Sequence, residues 1–171
     1  MLHNPTDIFI RYLQQLAVIL EKIAQREQQN PAILSARLTA DMLPLIQQVR
    51  ATANFSLRAC CPLAAIPLVL FNNPECTFNG LQTQIAQTIA FLQAIPAENF
   101  THSEAKKLPE KAGFAELNLP PEDFLYQYTL PNFFFHMSMV YAIARSRGVA
   151  LSKGDFDGYH RYPTGFSFEK K

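Results

Sequence analysis

From Leu130 to Arg145 the chain is almost entirely apolar, yet it carries Asn132 and His136 four residues apart. Four residues is about one helical turn, so both side chains leave the helix on the same side. A helix this apolar is buried among neighbours. A polar pair on it is either a hydrogen-bonded structural feature or the floor of a site.

Three other stretches read as helices that could surround it. From Pro5 to about Gln28, Phe9, Leu13, Leu16, Leu20 and Ile23 recur at alternating steps of four and three, and Pro31 closes the run. After a connection from Pro31 to Arg37, the stripe Leu38, Met42, Leu45, Val49 and Ala53 predicts a second helix from about Thr39, its N-cap, to Cys61, with Pro62 ending it. On that reading Pro44 lies past the first turn and predicts a bend. A connector from Pro67 to Pro74 leads to a third helix capped by Thr77. There Phe78, Leu81, Ile85, Thr88, Leu92 and Ile95 alternate, Gly80 weakens the first turn, and Pro96 is the stop.

The region from Ala97 to Pro120 is the least regular. Within it Ala115 to Leu119 alternates like a strand that can pair with the region near Lys107 in a small β-hairpin. Pro120, Pro121, Glu122 and Asp123 then open the fourth helix, which runs to about Arg147 with Gly148 at C′. Pro131 predicts a kink or an unwound turn near Gln127, freeing backbone carbonyls close to Asn132 and His136. The segment from Val149 to Lys171 is expected to pack as irregular chain. The expected class is all-α: a four-helix bundle with crossover connections, forming one domain over residues 1–171 with a tail from about 159.

A chain of 171 residues can bury one substantial core, and 49% apolar against 17% charged residues is globular composition. With a net charge of +1 and scattered Lys and Arg, nothing points electrostatically to nucleic acid. Lys106 and Lys107 read as solvated loop. The first dozen residues contain Pro5 and Asp7 and lack the pattern of a signal peptide. No run reaches the ~20 apolar residues of a membrane span. Three cysteines, Cys60, Cys61 and Cys76, are an odd set with two adjacent, which fits reduced thiols in a cytoplasm better than a disulfide framework.

The site candidates centre on His136 and Asn132. The bland reading is a buried His satisfied by Asn132, by a second-helix Gln or by a carbonyl that Pro131 frees. The functional reading is a polar pocket for a small ligand. Gln47 and Gln48 point ~100° apart on the helix. Gln48 sits closer to the apolar stripe and is the expected partner of His136; Gln47 and Asn54 are expected in structural polar contacts. Tyr128, four residues before Asn132, lies on the same face, so its hydroxyl can join the network; Tyr141 flanks the pair on the other side.

Several other residues read as structural. Asp41 serves the helix start or pairs with Arg37. Cys60 and Cys61 sit at a helix C-terminus, where the dipole opposes a thiolate. Asp155 and Asp157 form a D-x-D in a Gly-containing loop without the further oxygen donors of a calcium site. The run Phe133, Phe134, Phe135 must face several directions, and a ring left exposed would suit a partner helix in a dimer.

Two stretches carry a family resemblance. Ala36 to Val49 is the first. Leu130 to His136 is the second, continued through Tyr141-Ala142-Ile143 and Gly148-Val149-Ala150-Leu151 to Lys153-Gly154-Asp155-Phe156. Together they resemble a bacterial domain-of-unknown-function family within the DinB/YfiT-like superfamily. The resemblance covers about residues 7 to 158. It implies a four-helix bundle, often a homodimer, in a superfamily of metal-dependent enzymes. The better-understood relatives use a divalent metal held by three His to activate a low-molecular-weight thiol. One His comes from the second helix and two come from an H-x3-H on the fourth.

Carried over residue by residue, His136 takes the second place of the H-x3-H and Asn132 the first. The second helix holds no His and offers Gln47 and Gln48, while His3, His102 and His160 fall elsewhere. A three-His centre cannot be assembled from these positions, so no metal or cofactor is assigned. The sequence therefore leaves two main classes of function. One is a bundle that binds a small molecule, or acts, without metal, through His136, Asn132, Gln48 and Tyr128. The alternative is a divalent-metal-dependent thiol transferase with a substituted site. A third reading is an interaction protein with an apolar dimer surface.

Overall fold

The computed structural model describes residues 4–101, 107–163 and 166. Its frame is four long helical segments. The first is α1 (Thr6–Arg26), which buries Phe9, Leu13, Leu16, Leu20 and Ile23, the predicted stripe. It ends in a Schellman motif: Gln28 adopts φ +52°, its amide donates to the Gln25 carbonyl, and the Gln29 amide donates to that of Ala24.

The second helix, α2 (Leu45–Leu63), starts six residues later than Thr39. Pro44 is the reason. Its ring disfavours helical backbone at the residue before it, and Pro44 itself sits extended at ψ 161°, just outside the helix. Leu38 is therefore exposed, and Asp41 is not at a helix start. Asp41 accepts from Thr39 Oγ1 at 2.5 Å, while Arg37 donates to the Met42 carbonyl. Pro62 does not end the helix either. Near the C-terminus a proline sacrifices only one backbone bond, and the chain turns off in a second Schellman motif with Ala65 at φ +54°.

A crossover of residues 64–77 returns the chain to the start of α3 (Phe78–Gln93), where Thr77 Oγ1 accepts from the Gly80 amide at 3.0 Å as expected of an N-cap. Gly80 has a packing role. A Cβ there would lie 2.9 Å from the Glu75 Cβ, so the capping loop can approach only glycine.

The antiparallel hairpin precedes the last helix. Strands β1 (Leu108–Ala112) and β2 (Ala115–Leu119) pair in the register Glu110 opposite Leu117. Gly113, at φ +62°, opens its two-residue turn. The chain then makes one α turn at Pro121–Asp123 and widens into a π-helix over Phe124–Thr129. It continues as α4 (Leu130–Ser146), with Gly148 at φ +82° at C′. The π-turn is the structural answer to Pro131, which has no amide to return to the preceding turn. The segment after Val149 is not wholly irregular. Ser152 and Asp155 form a reciprocal capping box that nucleates α5 (Lys153–Asp157).

Side-chain contacts fix the directions. Gln48 meets His136 and Arg58 meets Tyr128, so α2 and α4 run antiparallel. Arg50 meets the Asn73 and Glu75 carbonyls while Gln84 meets Asn54, so α2 and α3 run parallel. Phe9 packs edge-on against Phe133, and Gly148 lies beside Arg26, which makes α1 and α4 parallel. The bundle is up-down-down-up, with the long crossover joining its two parallel neighbours. Phe9, Phe124 and Phe133 fill its centre, fully buried. Among the described residues no helix is long and apolar enough to cross a membrane.

Candidate functional site

Gln48 lies in the first turn of α2 at 1% exposure, on the same side as Leu45, Val49 and Thr52. An amide there must be hydrogen-bonded. Its Nε2 donates to the Leu43 carbonyl at 3.4 Å, which turns Oε1 toward α4, where it meets His136 Nδ1 at 2.7 Å. An amide oxygen only accepts, so the ring carries its proton on Nδ1. Nε2 keeps an unprotonated lone pair, and among the described residues it has no partner. Phe55 stacks on the ring at 5.4 Å and 24°, and Phe135 meets it edge-on at 5.2 Å.

Asn132, one turn back, donates from Nδ2 to the Tyr128 carbonyl at 2.7 Å. That carbonyl belongs to the π-turn that precedes Pro131, so the bond ties the Asn132 side chain to that turn. Its Oδ1 accepts nothing from the described residues. Two acceptors, His136 Nε2 and Asn132 Oδ1, thus stand one turn apart on half-buried side chains of one helix face.

Tyr128 joins through a residue absent from the sequence reading. Arg58 donates from Nη2 to the Tyr128 hydroxyl at 3.2 Å and grips Glu110 of β1 through Nη2 at 2.9 Å and Nε at 3.3 Å. Its guanidinium also lies 4.6 Å over the Phe55 ring. Burial works against the Arg58 charge, but the Glu110 carboxylate more than offsets it, and the guanidinium pKa is raised. Burial also raises the Tyr128 hydroxyl. Arg58 lies three residues after Phe55, which itself follows Gln48 by seven, so helix spacing places it beside the same stripe. No such spacing places Glu110, because only the docking of the hairpin brings it there.

The His136 pKa is lowered, first by burial and then by the Arg58 charge. A depressed folded value means that the unfolded chain takes up a proton at higher pH than the folded one. The stability this neutral His contributes is therefore complete above its usual 6.5 and is lost as pH falls through the lowered value. Thermal melts of wild type and His136→Gln from about pH 7.5 to about pH 5 should show wild type losing more stability on acidification. Parallel curves would mean that His136 titrates as a solvent-exposed group.

The other candidates fall outside this constellation. Gln47 is exposed, and Asn54 accepts from Gln84 Nε2 at 3.3 Å. Tyr141 donates to the Leu151 carbonyl at 3.3 Å. Cys60 and Cys61 are buried, and burial pushes both thiols up. Asp155 accepts from Lys22 Nζ at 2.6 Å and the Ser152 amide at 2.7 Å. Asp157 accepts from the Tyr159 and His160 amides at 2.8 and 3.0 Å, so both serve as turn and cap residues. His3 and His102 lie outside the described residues.

The three positions that correspond to a three-His centre do not fit one. Gln48 Oε1 is taken by the His136 ring, Asn132 Nδ2 by a carbonyl, and what stays open is one imidazole nitrogen and one amide oxygen. Among the described residues no group of three or more His, Cys, Asp or Glu could hold a metal ion.

The fold is a helical bundle of the DinB type. It is similar to the crystal structure of a DinB family member from Shewanella denitrificans solved at 1.83 Å. The TM-score is 0.76 over 93% of this chain and 92% of that one, at 24% identity, a likeness of fold. The family is narrower. A domain of unknown function, DUF1993, matches residues 3–157, and the chain belongs to that family. No curated protein matches it.

Proposed function

We propose that this protein is a single-domain bundle that binds a small organic molecule at the α2/α4 face through His136, without a metal centre. The molecule carries N–H or O–H donors. It donates to the unprotonated His136 Nε2 and to Asn132 Oδ1, while Phe55 and Phe135 flank it and Arg58 orients it with the Tyr128 hydroxyl. The observation that carries this reading is the 2.7 Å bond from His136 Nδ1 to Gln48 Oε1, which fixes the tautomer and leaves Nε2 open. A homodimer is part of the proposal, supported by Phe135, which is 52% exposed beside the site. So is a cytoplasmic setting, which suits three free thiols.

The test is nitrogen-15 NMR of the histidine rings, followed by titration with a panel of small alcohols, amides and primary amines. The expected result is an Nδ1-protonated His136 whose Nε2 resonance, together with the Asn132 side-chain amide, shifts with at least one class. An Nε2-protonated ring, or no response to any class, sinks the reading.

A further inference from the structure

A second concavity lies away from His136, where α1 and α4 both end. It is a cleft of about 620 Å³ bounded by Arg26, Glu27 and Arg147 at the helix ends and by Ser35, Arg37 and Thr39 of the segment leading to α2. Three arginines from separate parts of the chain line one cleft, and one carboxylate residue, Glu27, lines it with them. Glu27 pairs with Arg26, and Arg37 donates through Nη1 to the Met42 carbonyl, which carries no charge. The Arg147 amide closes the helix on the Ile143 and Ala144 carbonyls, while its side chain has no hydrogen bond or ion pair to any described residue.

Arginines at helix ends are often explained by the terminal carbonyls they satisfy. That explanation fails here. At α1 the Gln28 and Gln29 amides take the Gln25 and Ala24 carbonyls. At α4 the Gly148 and Val149 amides take those of Arg145 and Ala144. The backbone closes both ends, so neither Arg26 nor Arg147 is needed to cap them. Their closeness is visible at Gly148, where a Cβ would lie 3.5 Å from Arg26 Nη2.

Like charges gathered this way repel unless a counter-charge joins them. We infer that the cleft is a binding site for a small polyanion, recognised as oxyanion groups by Arg26, Arg37 and Arg147. A guanidinium presents paired donors that match phosphate or carboxylate oxygens. The excess of two positive charges over Glu27 favours a ligand of at least two negative charges.

The test is calorimetric titration of the full chain with pyrophosphate and, separately, with citrate, each against potassium chloride of matched ionic strength so that screening alone does not count. Saturable binding of pyrophosphate assigns a phosphate-bearing ligand, and binding of citrate alone assigns a polycarboxylate. In either case Arg37→Gln with Arg147→Gln should weaken binding by about tenfold or more, because charge-assisted bonds are lost. Both side chains are exposed, so the variant should melt like wild type. His136→Gln should leave this affinity unchanged, which separates the inference from the α2/α4 site. No saturable binding of either anion, or undiminished binding by the double variant, overturns it.

Discussion

Phe133→Ala should be the most damaging single truncation, lowering stability by about 3–5 kcal/mol. For a chain of this size that corresponds to a fall in Tm of about 10 °C. Phe133 is fully buried where α1 and α4 meet, edge-on to Phe9 at 5.0 Å and to Phe134 at 5.3 Å. Truncation removes the ring's burial and leaves a cavity that Phe9, pinned inside α1, cannot refill. Phe133→Leu keeps most of the volume and should lose much less. Chemical denaturation of both variants checks this. A loss below about 1 kcal/mol for the alanine variant would mean that the α1/α4 contact is not tightly packed.

Gln48→Leu should be the second largest, at about 1–3 kcal/mol, with a change of state at the site. Leucine fills similar space in the buried stripe of α2 but accepts no hydrogen bond. The His136 Nδ1 proton loses its partner, and the ring gains by moving its proton to Nε2, where solvent reaches. Nitrogen-15 NMR should therefore show the tautomer switch along with the loss of stability. Gln48→Glu should act in the opposite sense on the ring. A carboxylate against Nδ1 favours the imidazolium and raises the His136 pKa, although burial and Arg58 still oppose the charge. If Gln48→Leu left both tautomer and stability unchanged, the Gln48–His136 bond would not be what orients the ring.

Local rules of chain geometry made much of this architecture legible. The stripe from Phe9 to Ile23, the Thr77 cap, the alternation at Ala115 to Leu119 and Gly148 at C′ all depend on residues a few positions apart. Each appears where it was expected. Pattern and structure part where proline competes with apolar spacing. The stripe from Leu38 to Val49 read as one helix, but the Pro44 ring outranks apolar spacing, so α2 begins at Leu45. Pro62 predicts a stop, yet the helix absorbs it one residue before its last. At Pro131 the predicted unwinding takes the form of a π-turn just before it, and Asn132 donates to the Tyr128 carbonyl of that turn.

Helix periodicity placed Gln48, Asn132, His136 and Tyr128 on inward or shared faces of their own helices. By itself the sequence determined those faces, the caps, the bundle class and the absence of a second-helix His, because each follows from spacing within one segment. Tertiary structure alone decided which faces meet. It set Gln48 against the His136 ring, which chose the tautomer, and laid the hairpin so that Glu110 holds Arg58 over Phe55. It also brought Arg26, Arg37 and Arg147 to one cleft. These partners are tens of residues apart, and their distances depend on how whole helices pack, which no local spacing encodes.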